Sequence, residues 1–438
     1  MTYQEYKESN IAWIGKIPIH WEVHRLKNLC SLKARIGWKG LRSEEFEEES
    51  YAYLVTGQDF KRADIDWDSC YQINKERYDE DPYIQLNNGD LLITKDGTIG
   101  KIAKVSNLDK PACLNSGVFV LKQKADKFDQ GYLYWSLVSN LLGDFNNYTS
   151  TGTTILHLYQ NVFENMPLVL PPIEEQVKIA LYLDKKCDKI NSAIDTQKKK
   201  IELLNELKQT IITNAVTKGL NPDVPMKDSG VEWIGKVPVH WNVMKTSLCF
   251  SGIGSGTTPS TSNKDYYSES DGLNWLQTGD LNDGIIEGTS KQITEVAAKD
   301  YNLKFYPINS IVIAMYGATI GKVGLLKINT ATNQACCVLP PSHICYPQFA
   351  HMIFIAAKRQ LLVDAMGGGQ PNISQDTIKK LKIAIPPLNE QEAIISFLEQ
   401  EIAEIDLKIV KTKKHIELLN ELKQSIITEA VTGKVKVC

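Results

Sequence analysis

The sequence predicts an α+β protein: two globular α/β domains related by pseudo-two-fold symmetry and separated by two long antiparallel helices forming a coiled-coil strut. Three observations carry this expectation. Residues 11–23 (IAWIGKIPIHWEV) align with 231–243 (VEWIGKVPVHWNV) at eight of thirteen positions, and three of the five changes are Ile to Val. Residues 201–217 (IELLNELKQTIITNAVT) match 416–432 (IELLNELKQSIITEAVT) at fifteen of seventeen. Between these frames the halves diverge and keep only ordered fragments: YLVTGQD with WLQTGDL, KDGTIGK (Lys95–Lys101) with YGATIGK (Tyr316–Lys322), and PPIEEQ from Pro171 with PPLNEQ from Pro386. A duplication whose frames agree and whose interiors differ predicts one scaffold presenting two different recognition surfaces.

Taken in order, residues 1–23 form a leader, 24–170 the first variable domain, 171–220 a central long helix, 221–243 a linker that repeats the leader, 244–385 the second variable domain and 386–438 a C-terminal long helix. In the first helix apolar residues recur at Ile190, Ile194, Ile201, Leu204 and Ile211, with Gln197 and Lys208 at the intervening positions of the stripe. The second repeats it with Ile405, Ile409, Ile416, Leu419 and Ile426. A heptad stripe wants a partner helix, and a segment packing on its own duplicate favours an antiparallel, isologous arrangement. Gly219 with Pro222, and Gly433, supply the stops. At 1.5 Å per residue each helix would run about 65 Å. In this topology the leader should pack where the second helix ends, as Trp233 and Trp241 pack where the first ends. Within the variable domains GDLLIT and SIVIAMY read as strands, and YLYWSLVSN and FAHMIFIAAKRQLL as short helices.

Composition narrows the function. The 438 residues exceed a single small domain, and 43% hydrophobic with 23% charged residues describes an ordinary folded chain. No run approaches the roughly 20 apolar residues of a membrane span, and MTYQEYKESN lacks the features of a signal peptide, so a cytoplasmic protein is expected. Nine scattered Cys fit reduced thiols. Only Cys336, Cys337, His343 and Cys345 crowd together, without a C-x2-C pair, which favours buried thiols over zinc. With 49 basic against 52 acidic side chains, a nucleic-acid partner would have to meet basic groups gathered locally. GTIGK fails as a phosphate loop, because Lys95 and Tyr316 stand where the first Gly belongs and Ile102 and Val323 follow the Lys. Asp81-Pro82-Tyr83 lacks the second Pro of D-P-P-Y, no GxGxxG joins a strand to a helix, and no common catalytic or metal motif occurs. No cofactor bound by this chain, no metal and no catalytic residue are expected.

The variable domains instead offer polar and basic groups on loops. Lys33, Arg35, Trp38, Lys39 and Arg42 fall within ten residues, suited to phosphates; an ordinary solvated charge run is the plainer reading. The second copy has Thr257, Thr258 and Lys264 at this place, donors to phosphates or bases unless the stretch is only a linker. Lys95, Thr98 and Lys101, with Tyr316, Thr319 and Lys322, occupy one turn kept in both copies, as contact residues or as a structural hairpin. A third loop pair sets Thr153 and Thr154 against Gln370 and Asn372, amides of the type that bond an adenine edge bidentately; a tight turn is the competing reading.

Together the two WIGKxPxHW leaders, the PPIEEQ and PPLNEQ helix entrances, the paired TIGK turns and the duplicated LLNELKQ helix resemble the specificity (S) subunit of type I restriction-modification enzymes, over essentially the whole chain. The resemblance implies two target-recognition domains, each reading one half of a bipartite asymmetric site in double-stranded DNA. It also implies a subunit without catalytic activity. Two methyltransferase (M) subunits with S-adenosylmethionine would methylate adenines, and restriction (R) subunits with ATP and magnesium would translocate and cleave. The spacing of the half-sites would follow the strut, as in dimeric DNA readers. A duplicated coiled-coil scaffold binding two protein partners without DNA is the alternative, and an enzyme with a divergent site a more remote one.

Overall fold

A computed structural model of the chain describes residues 2–35, 41–124, 128–149, 158–365 and 372–437. It comprises two compact units, Met1–Gln197 with Lys414–Cys438, and Lys198–Lys413. These units divide the chain differently from the sequence segments: each takes half of both long helices.

In the first unit β1 (Tyr6–Glu8) and β2 (Lys16–Pro18) pair antiparallel in the leader, and β3 (Glu22–Arg25) leads into the variable domain. There follow β4 (Cys30–Lys33), β5 (Ala52–Val55), β6 (Tyr71–Ile73), β7 (Leu91–Thr94), β8 (Ile102–Lys104), β9 (Ala112–Leu114) and β10 (Val118–Gln123). Helices α1 (Gln130–Val138) and α2 (Asn140–Thr149) come next, then β11 (Pro167–Leu170), which pairs with β3, and α3 (Ile173–Lys218). The main sheet has the order β8-β7-β10-β4, all antiparallel, and a smaller sheet has the order β9-β5-β6, with β9 parallel to β5.

The main sheet is buried on both faces, which is why LLIT and VFVL read as continuous apolar runs rather than as alternating ones. Leu91, Ile93, Phe119 and Leu121 join the core with Trp21, Tyr132, Ile179, Leu183 and, from the end of the second long helix, Ile427 and Val431. Leu92, Val118 and Val120 face the small sheet, meeting Leu54, Ile73 and Cys113. This is the two-residue period of a strand feeding two cores.

The second unit repeats the plan. The leader strands are β12 (Met226–Asp228), β13 (Lys236–Pro238) and β14 (Asn242–Lys245). Strands β15 (Gly254–Ser255), β16 (Leu273–Leu276), β17 (Gly284–Ile286), β18 (Ile311–Ala314), β19 (Val323–Leu326), β20 (Ala331–Thr332) and β21 (Cys336–Leu339) follow. Then come α4 (Pro347–Asp364), β22 (Lys382–Ile385) paired with β14, and α5 (Leu388–Val431). The main sheet, β15-β21-β18-β19-β17, adds one edge strand, and β16 lies parallel to β20 as β5 does to β9. Cys336 and Cys337 point to opposite faces of β21, into different cores, so the Cys336, Cys337, His343 and Cys345 cluster does not converge.

The helices α3 and α5 contain 46 and 44 residues and end at Gly219 (φ +77°) and Gly433 (φ +70°), left-handed caps that glycine adopts without strain. Within each unit they run antiparallel. Lys423 Nζ donates to Asn191 Oδ1 at 2.8 Å in the first unit, where the early half of α3 meets the late half of α5. In the second, Lys208 Nζ donates to both Asp406 oxygens at 2.8 Å. Ile190, Ile194, Ile405 and Ile409 are buried, and Ile201, Leu204, Ile416 and Leu419 half-buried. The stripe needs correction at one turn: Ile211 and Ile426 are half-buried, and their neighbours Ile212 and Ile427 are the buried residues. There each helix has left the pairing stripe and packs on the core of a variable domain, which asks for a different face.

Candidate nucleic-acid interface

The retained motifs form a latch that fixes each variable domain to a helix start. Glu175, in the first turn of α3, accepts from His20 Nε2 (2.8 Å), Trp21 Nε1 (3.1 Å) and Tyr3 Oη (3.1 Å). Glu390, in the first turn of α5, receives His240 Nε2 (2.6 Å) and Trp241 Nε1 (2.9 Å). A carboxylate is favoured at a helix N-terminus. Burial alone pushes the Glu175 carboxyl up, but the hydrogen bonds from His20, Trp21 and Tyr3 outweigh it and hold the group below its ordinary range. The adjacent glutamine completes the latch: Gln176 receives Asp129 N and donates to Pro171 O, as Gln391 receives Tyr346 N and donates to Pro386 O. At the far end, a Cβ on Gly219 would stand 3.1 Å from the Trp241 ring, and one on Gly433 would stand 2.4 Å from Pro18 and 3.0 Å from Trp21. Each leader is thereby seated between the start of one long helix and the end of the other.

Above this frame, four segments of each variable domain meet on one face. The TIGK turns close their hairpins with the same two bonds, the second turn being one residue longer: Thr94 N donates to Lys101 O and Gly100 N to Thr94 O, as Ala314 N does to Lys322 O and Gly321 N to Ala314 O. Gly97, Gly100, Gly317 and Gly321 all have positive φ, the conformation these turns demand. Each hairpin then ties two further segments. Lys95 N donates to Gly117 O at 2.9 Å and Met315 N to Ala335 O at 2.8 Å, fixing the turn after β9 or β20. Leu158 N donates to Lys95 O and Ile373 N to Met315 O, fixing the end of the third loop. The first loop crosses the same turn, through Arg35 Nε on Leu114 O (3.0 Å) in one domain and Thr258 Oγ1 on Gln334 Oε1 in the other.

The side chains expected to make contacts are sorted by this geometry. Lys33, Arg42, Thr98, Lys101, Thr257, Lys264 and Asn372 are exposed. Lys33 also lies 5.4 Å over the ring of Tyr83, an exposed aromatic. Arg35 is a correction: only 2% exposed, it serves the fold beneath the loop and its guanidinium is withheld from a phosphate. Lys95 and Tyr316 also differ from a tip position. Lys95 leans back over the Phe119 ring at 5.4 Å, and Tyr316 packs against the core of the second unit. Thr319 donates to Thr278 O at 2.8 Å, and Thr258 and Lys322 are half-buried. The TIGK turn is thus first a structural hairpin, with Thr98 and Lys101 as its outward groups. Trp38, Lys39, Thr153, Thr154 and Gln370 lie outside the described residues.

Sequence reasoning missed Asn115 and Ser116, with their counterparts Asn333 and Gln334, which form the turn that the hairpin and the first loop grip. The signal was present as LNSG (residues 114–117) against TNQA (332–335), each one Asn between two apolar strands. Burial pushes the thiols of Cys30 and Cys337 up to about 12, and those of Cys113 and Cys187 to about 11. Among the described residues no group of three or more His, Cys, Asp and Glu is placed to hold a metal, and no helix is long and apolar enough to cross a membrane.

Comparison with known proteins agrees with this duplicated frame. The type I restriction modification DNA specificity domain matches twice, at residues 18–205 and 238–418. The chain is 28% identical to the type I restriction enzyme MjaVIII specificity subunit of Methanocaldococcus jannaschii, across 99% of this chain and 98% of that one. It is 24% identical to the EcoBI specificity subunit of Escherichia coli, across 79% and 73%. A chain from a structural study of complex assembly and conformational transition in the type I R-M system shares the fold, with a TM-score of 0.71 at 17% identity over 96% of this chain and 99% of that one. The two latches, the twin sets of converging loops and these matches place the chain in the family of type I restriction-modification DNA specificity subunits.

Proposed function

We propose that each variable domain reads one half of a bipartite, asymmetric DNA site, and that partner subunits carry out the adenine methylation and cleavage which this reading directs. As a member of its family the chain is a DNA sequence-recognition subunit. The observation that favours two unlike half-sites is the contrast between a shared pattern of hairpin closure and the different groups beside it: half-buried Asn115 and Ser116 with exposed Lys101 in one head, half-buried Asn333 with exposed Gln334 and Thr257 in the other. Amide and hydroxyl groups of this kind read base edges, while lysines position the backbone.

In this reading the chain is the non-catalytic member of the complex. S-adenosylmethionine belongs to two M subunits, and ATP with magnesium to R subunits. The near-identical helix segment supports two equivalent docking sites, since Leu203 and Leu207 on α3, and Leu418 and Leu422 on α5, are about half exposed at i, i+4 spacing. Replacing Leu203 and Leu207 by Glu should reduce the M subunits bound per chain from two to one by mass measurement, as should the same change at Leu418 and Leu422.

Mapping methylated adenines in cells with and without the intact reading frame tests the function: a bipartite motif appears and vanishes with it. Exchanging residues 24–165 for those of another family member alters one half only; a change in both halves refutes independent reading. With a formal net charge of −3, the isolated subunit should bind DNA weakly. A gel shift showing tight specific binding without partners would contradict this.

A further inference from the structure

The most unusual polar group in the first head lies under its surface. Arg35 is 2% exposed and makes no direct ion pair among the described residues, although the buried Asp81 carboxylate acts on the Cys113 thiol that Arg35 also meets. Its Nε donates to Leu114 O at 3.0 Å, its Nη2 to Cys113 Sγ at 3.4 Å, and its Nη1 is buried without a partner. An unpaired buried guanidinium is costly to hold, so stability alone is a poor reason for its presence. It grips the residue immediately before the Asn115-Ser116-Gly117 turn, the segment that the hairpin also ties through Lys95 N and Gly117 O.

The equivalent crossing in the second head is solved in the opposite way. A Cβ on Gly256 would stand 1.6 Å from Thr332 O, so the first loop lies directly on the backbone before the Asn333-Gln334 turn, an approach open to glycine alone. Thr332 Oγ1 is buried there and also without a partner. The same crossing thus carries an orphaned polar atom in both copies, with a long cationic spacer in one and no side chain in the other.

We infer that this crossing sets the base preference of each head, with Arg35 and Gly256 as positioning residues that fix the height of the polar turn over the first loop. The inference rests on the DNA-reading function above. A turn offering amide and hydroxyl groups discriminates bases only where its hydrogen bonds keep their distance and angle, and these limits are narrow. A guanidinium spacer and a direct backbone contact hold the turn at two different heights, giving unlike readings on like frames.

The full chain, expressed with its methyltransferase partner in a host free of adenine methylation, provides the test through genome-wide mapping of methylated sites. With Arg35→Met, methylation at sites carrying one wrong base in the first half should rise at least tenfold relative to cognate sites, while the second half stays strict. Arg35→Lys, which keeps one donor, should relax the first half about threefold. Gly256→Ala should relax or shift the second half alone. The untouched half, read by the same molecule, reports folding and assembly. Unchanged selectivity in both halves overturns the inference, as does a uniform decline at all sites with an unaltered motif, which a mere fold brace would give. Should Arg35→Met fail to accumulate, wild-type selectivity in Arg35→Lys overturns it equally. A wild-type chain that directs no bipartite motif would instead refute the DNA-reading function itself.

Discussion

The latch at Glu175 and the latch at Glu390 use the same His, Trp, Glu and Gln at the same places, whereas the heads mounted on them share little beyond hairpin geometry. The difference separates two kinds of constraint. A buried Trp on a helix-start carboxylate and a helix-end glycine has few substitutes, because shape and hydrogen bonding are fixed together. A loop above a finished sheet is free to change, provided the few backbone ties that hold its base survive.

If the two frames are equivalent, damage to either should cost alike. Trp21 and Trp241 are fully buried, so Trp21→Ala and Trp241→Ala should each destabilise by about 3–5 kcal/mol in denaturant unfolding. A gap of more than about 2 kcal/mol between them would break the equivalence. The helix-end glycines sharpen the comparison by differing. Gly433→Ala should cost about 2–4 kcal/mol, since positive φ adds to a Cβ 2.4 Å from Pro18. Gly219→Ala, with its nearest contact at 3.1 Å, should cost about 1 kcal/mol. Thermal melts of the two variants should rank them in this order.

Third in size is the latch carboxylate. Glu175→Gln should cost about 2 kcal/mol, and Tyr3→Phe, which removes a donor that the Glu390 latch does not use, about 1 kcal/mol. The folded-state pKa of Glu175 is depressed, so its stabilisation is complete above the unfolded value near 4.5 and is lost as pH falls through the lower folded value. Melting temperatures from pH 6 down to 3 should therefore show an acid-side loss that Glu175→Gln reduces. The smallest effect concerns the helix pair. Lys208 meets Asp406 where Lys423 meets Asn191, but the ion pair is substantially exposed. Asp406→Asn should cost about 0.5 kcal/mol or less and become silent in high salt.

Much of this frame is legible along the chain. Two copies of WIGKxPxHW and PPxxEQ announce partners, and an apolar stripe at heptad spacing announces paired helices that end at Gly219 and Gly433. The contact surface was legible only in outline. A cluster such as Lys33, Arg35 and Arg42 shows charge but not depth, and Arg35 proved to be inside. Cys336 and Cys337 are neighbours in sequence yet lie in separate cores. Lys95 and Tyr316 share a motif with Thr98 and Thr319 but lean inward, because the strand before them ends at the rim of the core.

By itself, then, the sequence determined the duplication, the length and stops of the helices and the pairing of leader with helix end, since periodicity, repetition and capping are local and survive being read in one dimension. Only the tertiary structure decided which polar groups share a face. The meeting of Arg35 with Leu114, of Lys95 with Gly117 and of Leu158 with Lys95 depends on hydrogen bonds between backbone segments remote in sequence. Such bonds are set by the assembled sheets, and no spacing along the chain encodes them.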